Sequence, residues 1–430
     1  MHGRLNLFQA TMLRWRDLYP YAAVHMVRVL RPCEPQRLRE RIEALLANAG
    51  LTGLVLDWQR KRFEYRGGPA AIELTMLHGG EDALRTAEAE IERQLNTPFR
   101  REGAFSPFRF FAVDHGKSFD LGLAYDHFLA GGDSIAVLLG HCVDEYSREA
   151  AGGKASWMPG LYPTTYRRLF LRRFASALRG LADIPSLAAS CRRSWRAPCR
   201  DRGEGNGFLS FRVDRMGLDA LRSTARSWQV TVSDLFLAML LSALDPITAE
   251  RRAAPRRKEL AVASIVNLRG EVASDADATF GQFLSSLRVS HPVPAAISLR
   301  QLAAEVHAET SRVKTRRLYL QTLLALGAAG LAWRFLSIDR RRGYLAKHYP
   351  VWAGITAVHV DPLWEKVRRE MPAGEYLRAV STGPLAPLVL AITTLGDAMW
   401  LGLSFRTADV SRQTAERVGR NFLHCIASLT

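Results

Sequence analysis

Tyr125-Asp126-His127-Phe128-Leu129-Ala130-Gly131-Gly132-Asp133-Ser134 puts a histidine on a glycine turn just after an apolar strand. An imidazole in that position suits a general base, because its ordinary pKa lies near neutrality. Upstream, the apolar runs Phe110 to Val113 and Phe119 to Tyr125 flank Gly116-Lys117 and read as a β-hairpin whose second strand ends at the histidine. Downstream, Ile135 to Tyr146 has helical periodicity, with Asp133 or Ser134 as the expected N-cap. Strand, histidine, glycine turn and helix form one unit.

The unit resembles the His-His-x-x-x-Asp-Gly-x-Ser signature of the condensation-domain and CoA-dependent acyltransferase superfamily, with its chloramphenicol acetyltransferase-like fold. His127 falls on the catalytic histidine, Gly132 on the glycine and Ser134 on the small hydroxyl residue. Asp126 stands where that signature has its first histidine, and Gly131 where it has its aspartate. Other segments resemble the family in order along the chain. They are the strand Ala22 to Leu30 with the helix Glu34 to Asn48, then Asn96-Thr97-Pro98-Phe99, and then Val230 to Ala238, which opens a second lobe. After these come Ser264-Ile265-Val266-Asn267-Leu268-Arg269, the turn Phe280-Gly281-Gln282-Phe283, the strand Leu401 to Arg406 and a closing helix from about Ser411 to Leu429.

The resemblance implies an α/β (α+β) fold of two lobes, each a mixed β-sheet flanked by helices, with an active-site tunnel between them. Residues 1–195 would form the first lobe, 196–207 a Pro/Gly-rich linker and 208–430 the second. It implies acyl transfer from a CoA thioester or an acyl-phosphopantetheine carrier protein to a hydroxyl or amine, with His127 as base and no bound cofactor or metal. Gly132 could present its N–H to the oxyanion. The family's aspartate is chiefly structural and pairs with an arginine. With Gly131 in its place Arg269 needs another partner, and Asp133 is the expected substitute, ahead of Asp126. The alternative is a catalytically inactive binding module of the same fold.

Composition narrows the setting. At 430 residues and 48% hydrophobic composition the chain suits two ordinary cores. Five cysteines with no CxxC pair imply neither a disulfide framework nor a zinc site, and no apolar leader precedes Arg14. A cytoplasmic location is expected. No P-loop, GxGxxG or HExxH occurs, and the Gly132-Asp133-Ser134 triplet lacks the late Asp-x-x-His of a GDS-type hydrolase.

The net charge of +17 is concentrated in two segments. Lys154 to Arg202 holds eleven basic residues against Asp183 and Asp201, and Arg312 to Arg342 holds eight against Asp339. In the first, Tyr166, Leu169, Phe170, Phe174, Ala177, Leu178 and Leu181 recur at helical spacing beside Arg168, Arg172 and Arg179. Such a helix can lie on an anionic membrane, dock an acidic partner such as an acyl carrier protein, or pack on the core with solvated arginines. The second contains Leu318 to Trp333 without a charge, too short for a bilayer span. It reads either as a buried helix of the second lobe or as one half in a lipid surface near a lipophilic substrate, at the inner face of the cytoplasmic membrane. Nucleic acid is disfavoured because no recognition module accompanies the charge.

Overall fold

The computed structural model describes residues 2–80, 82–100, 102–148, 157, 159–161, 166–199, 205–272, 279–367 and 371–430. The expected hairpin forms from Phe108–Asp114 and Phe119–Asp126, which pair antiparallel from Phe108↔Tyr125 to Asp114↔Phe119. Both strands are buried along almost their whole length, so alternation gives way to the near-continuous apolar runs of a sheet covered on both faces. They lie inside a five-stranded sheet with the order Ala373–Val380, Ala22–Val29, Phe119–Asp126, Phe108–Asp114, Leu74–His78.

A six-stranded sheet forms the second lobe. Its order is Leu284–His291, Leu260–Asn267, Ala353–His359, Leu388–Leu395, Ala398–Arg406, Asn206–Val213, with a parallel centre and antiparallel flanks. Both sheets are thus mixed and flanked by helices, as the α/β reading expected. The strand Ala373–Val380 comes from the C-terminal half but pairs with Ala22–Val29 in the first sheet, so a cut near residue 200 does not separate the two sheets completely. Close approach makes the crossing possible: a Cβ at Gly402 would sit 1.9 Å from the Arg378 carbonyl oxygen, so only glycine fits there. An apolar cluster of Ile91, Phe111, Phe208, Leu377 and Trp400 joins the sheets at this seam. The edge strand Asn206–Val213 is covered by the helix Ala83–Asn96, whose Glu92 and Glu88 accept from the N–H groups of Phe208 and Ser210 at 2.9 and 2.7 Å.

Several local readings are adjusted. The motif helix runs Gly132–Ser147 with Gly131 as N-cap, in place of Asp133 or Ser134. The strand expected to reach Arg269 ends at Asn267, and Arg269–Val272 makes one helical turn. The first basic helix is two, Arg167–Arg172 and Phe174–Arg193, broken at Arg173. Of the expected linker, residues 200–204 lie outside the described residues, as does Lys154. The uncharged segment forms the helix Leu320–Ala332, with Leu320, Gln321, Leu323 and Leu326 buried and its other side more open. Among the described residues one helical stretch, Val232–Ala253, is long and apolar enough to cross a membrane; most of its apolar window is buried in the second lobe.

Candidate functional site

His127 follows directly on the strand Phe119–Asp126, and its N–H reaches back to the Tyr21 carbonyl at 3.4 Å. The Tyr21 and Tyr125 rings flank the imidazole with centroids 5.2 and 5.9 Å away. Nδ1 is buried and has no hydrogen-bond partner among the described residues. Burial, and secondarily the charge of Arg378, pushes the imidazole down to about 3, so it is neutral throughout the neutral range and gains a proton there only as negative charge develops beside it.

The turn after the histidine is held from the other half of the chain. The Gln282 amide nitrogen donates to the carbonyls of His127 and Ala130 at 2.6 and 2.8 Å, and the Gly131 N–H donates to the Gly281 carbonyl at 2.9 Å. Asn6 in turn donates to the Gln282 carbonyl at 3.0 Å, tying the N-terminal helix Leu7–Arg16 to the same segment. Ser134 accepts from the Gly281 N–H at 3.2 Å and from the Arg269 guanidinium.

Asp133 does not replace the missing aspartate as expected. Its carboxylate accepts from the Asn267 amide, while Arg269 reaches the Ser134 hydroxyl and lies over the Phe283 ring at 5.6 Å. Among the described residues the carboxylate–arginine pair on this loop is instead Asp126 with Arg16, with the carboxylate 1% and the guanidinium 11% exposed. Burial outweighs Arg16 and the Phe128 N–H, leaving the Asp126 carboxyl above its ordinary range.

A cavity of about 1200 Å³ opens beside the histidine. His127 and Gly131-Gly132-Asp133 line one side, both sheets line the walls, and the helices Phe174–Arg193 and Leu320–Ala332 contribute Leu187 and Leu324. Its lining is mainly apolar, with Met12, Trp15, Phe283 and Ile355, so it suits a lipophilic chain. Sequence reasoning placed Gln282 in a glycine turn without giving it a role, and missed Arg16 and Arg378. Arg378 is 2% exposed and donates to Thr393 Oγ1 and to the carbonyls of Thr356 and Ile392 at 2.8, 2.9 and 2.8 Å. It has no carboxylate partner among the described residues and lies against Gly132, where a Cβ would come within 2.8 Å of its Nη1. The cation that opposes protonation of His127 therefore favours negative charge beside it. His25, fully buried on the neighbouring strand, bonds the Tyr376 hydroxyl at 2.7 Å through Nδ1 and is held neutral by burial. His141 stacks on Trp157 with centroids 4.8 Å apart, a packing role.

No family profile matches the sequence, and no curated protein matches it. Solved structures do. The first condensation domain of the calcium-dependent antibiotic synthetase, in complex with a substrate analogue, is similar over 100% of this chain and 97% of its own, with TM-score 0.71 at 15% identity. SgcC5 from Streptomyces globisporus is similar over 99% of this chain and 98% of its own, with TM-score 0.65 at 15% identity. The starter condensation domain of rhizomide synthetase, bound to C8-CoA and Leu-SNAC, is similar over 100% of this chain and 94% of its own, with TM-score 0.68 at 12% identity. The likeness runs over essentially the whole length of these structures and of this chain, and this chain therefore has the condensation-domain fold.

Proposed function

We propose that the chain is an acyltransferase that moves an acyl group from a CoA or carrier-protein thioester to the hydroxyl or amine of a lipophilic acceptor, in lipid or secondary-metabolite biosynthesis. The observation that carries this reading is a neutral histidine at a strand end, facing an apolar cavity between two sheets. The acceptor attacks the thioester carbonyl carbon as His127 takes its proton. The oxyanion formed lies in the field of Arg378 and of the N–H groups that open the helix Gly132–Ser147. The intermediate collapses by breaking the C–S bond, and the departing thiolate recovers the proton as a thiol. The imidazolium is disfavoured in the empty site, and the oxyanion formed with it offsets that cost.

The solved condensation domain bound to an acyl-CoA and an aminoacyl thioester supports thioester substrates. Five free cysteines suit a reducing, cytoplasmic compartment. The test is product formation from acyl-pantetheine donors of graded chain length with amine and alcohol acceptors, comparing wild type with His127→Ala. Loss of turnover in a folded variant is expected. Equal turnover by the variant would overturn His127 as the base, and no product with any donor would leave the inactive binding module as the better reading.

A further inference from the structure

Two exposed apolar surfaces lie on or beside helices that line the cavity, and both carry arginines with no described carboxylate partner. Along Arg167–Arg172 and Phe174–Arg193, Leu171, Phe174, Leu178, Leu181 and Ile184 are 66%, 63%, 49%, 49% and 45% exposed. Leu181 and Ile184 also line the cavity, so this face continues into its mouth. Arg168, Arg172 and Arg179 are exposed on the same two helices and form no ion pair with a described carboxylate. The helix Phe174–Arg193 packs on Leu320–Ala332, where Gln321 donates to the Gly180 carbonyl at 2.8 Å. At the end of that second helix and just past it, Leu331, Phe335 and Ile338 are again exposed, Phe335 at 88%. Here Arg14, Arg334 and Arg341 gather without a described carboxylate partner, and the half-buried Arg14 guanidinium is depressed by burial and by the other two charges.

Water solvates the apolar face poorly, and the gathered guanidinium groups repel one another until anions lie among them. A bare apolar patch would fit any apolar partner, but this one sits among guanidinium groups that need anions. Phosphate headgroups over acyl chains supply both at once, in the layered order that a helix bearing Arg beside Leu and Phe matches. An acidic carrier protein supplies the anions but not an apolar layer for five large side chains along these two helices.

We propose that this face is a docking surface for an anionic lipid bilayer, which places the cavity mouth at the acyl-chain level. Delivery of a lipophilic substrate through that mouth rests on the acyl-transfer reading; binding to vesicles does not. The experiment is flotation of the full chain with vesicles of phosphatidylcholine alone or containing about a third phosphatidylglycerol, at ionic strengths of about 0.1 and 1 M. Wild type floats with the anionic vesicles, less so at high salt. Phe174→Ser/Leu178→Ser and, separately, Arg334→Glu/Arg168→Glu each lower vesicle affinity by about ten-fold or more. These positions are exposed, so thermal midpoints stay near wild type, and either variant suffices should the other misfold.

The proposal is overturned if wild type does not float, if both folded variants float equally well, or if the same substitutions instead abolish binding to an acidic acyl carrier protein in the absence of lipid. His127→Ala floats like wild type but is inert. Turnover of a water-soluble acceptor persists in the surface variants, so failure of docking and failure of the chemistry are read separately.

Discussion

Gln282→Glu changes one amide to a carboxyl of the same shape at a position with 0% exposure. In the native protein the amide nitrogen donates to two carbonyl oxygens, His127 at 2.6 Å and Ala130 at 2.8 Å. An ionised carboxylate there would face both oxygens with no proton between them. A protonated one could donate to a single carbonyl and leave the other unpaired, at about 1–3 kcal/mol. The introduced carboxyl is therefore driven to protonate in the folded state, with a pKa above its unfolded value of about 4.3. A raised pKa stabilises below the unfolded value and loses that contribution as pH rises. For an upward shift of about two to four units the added loss, complete above the folded pKa, is about 3–5 kcal/mol, accruing at about 1.4 kcal/mol per pH unit above 4.3. Urea midpoints followed by fluorescence of the nine tryptophans, at pH values from 5 to 8 for variant and wild type together, measure the difference directly. The expected result is a gap that widens with pH, whereas Gln282→Leu shows a loss independent of pH. A gap of constant size for Gln282→Glu would refute the view that this amide holds the histidine turn.

Gly132→Ala should cost about 1–3 kcal/mol, because its Cβ meets Arg378 Nη1 at 2.8 Å and three hydrogen bonds pin that guanidinium. Gly131→Ala, whose Cβ meets nothing closer than 3.6 Å, should cost below about 1 kcal/mol; thermal denaturation of the two variants compares them. Asp126→Ala removes the buried carboxylate that Arg16 reaches and should destabilise by about 1–3 kcal/mol, with a smaller loss when Arg16→Met is already present, as a double-mutant cycle would reveal. His25 and His127 stay neutral in the folded protein but charge in the unfolded chain below about 6.5, so the unfolded state binds more protons there. Stability should fall as pH drops from 6.5 toward the His127 value of about 3, by up to about 1.4 kcal/mol per unit for each ring, and His127→Gln should flatten the slope seen in urea titrations.

The histidine hairpin was legible because both of its strands and its Gly116 turn are written in adjacent residues. The crossing of Ala373–Val380 into the first sheet was not, because its place depends on the approach at Gly402 rather than on its own pattern. Position 131 shows the same limit at closer range. Local rules prefer Asp133 or Ser134 as a helix cap, since their side chains can accept an N–H. In the fold, the Gly131 N–H is taken by the Gly281 carbonyl and Ser134 by the Gly281 N–H and Arg269, so long-range contacts set where the helix begins.

That exchange also accounts for the absent aspartate. A carboxylate at 131 paired with an arginine would stiffen the turn from one point. Here the turn is fixed from two: by Gln282 from the second lobe, and at its root by Arg16 on Asp126. The Gln282 carbonyl is itself bound by Asn6, the cap of the helix that carries Arg16, so both supports converge on the N-terminal helix. Neither partner could be found by spacing, since Gln282 lies 155 residues from His127 and Arg16 lies 110 from Asp126. The amide is uncharged, so it holds the loop without placing a carboxylate near Arg378. The Asp133 carboxylate already acts on that guanidinium at a distance, and the amide adds no second one, so the field of Arg378 still reaches His127 and any negative charge that develops beside it.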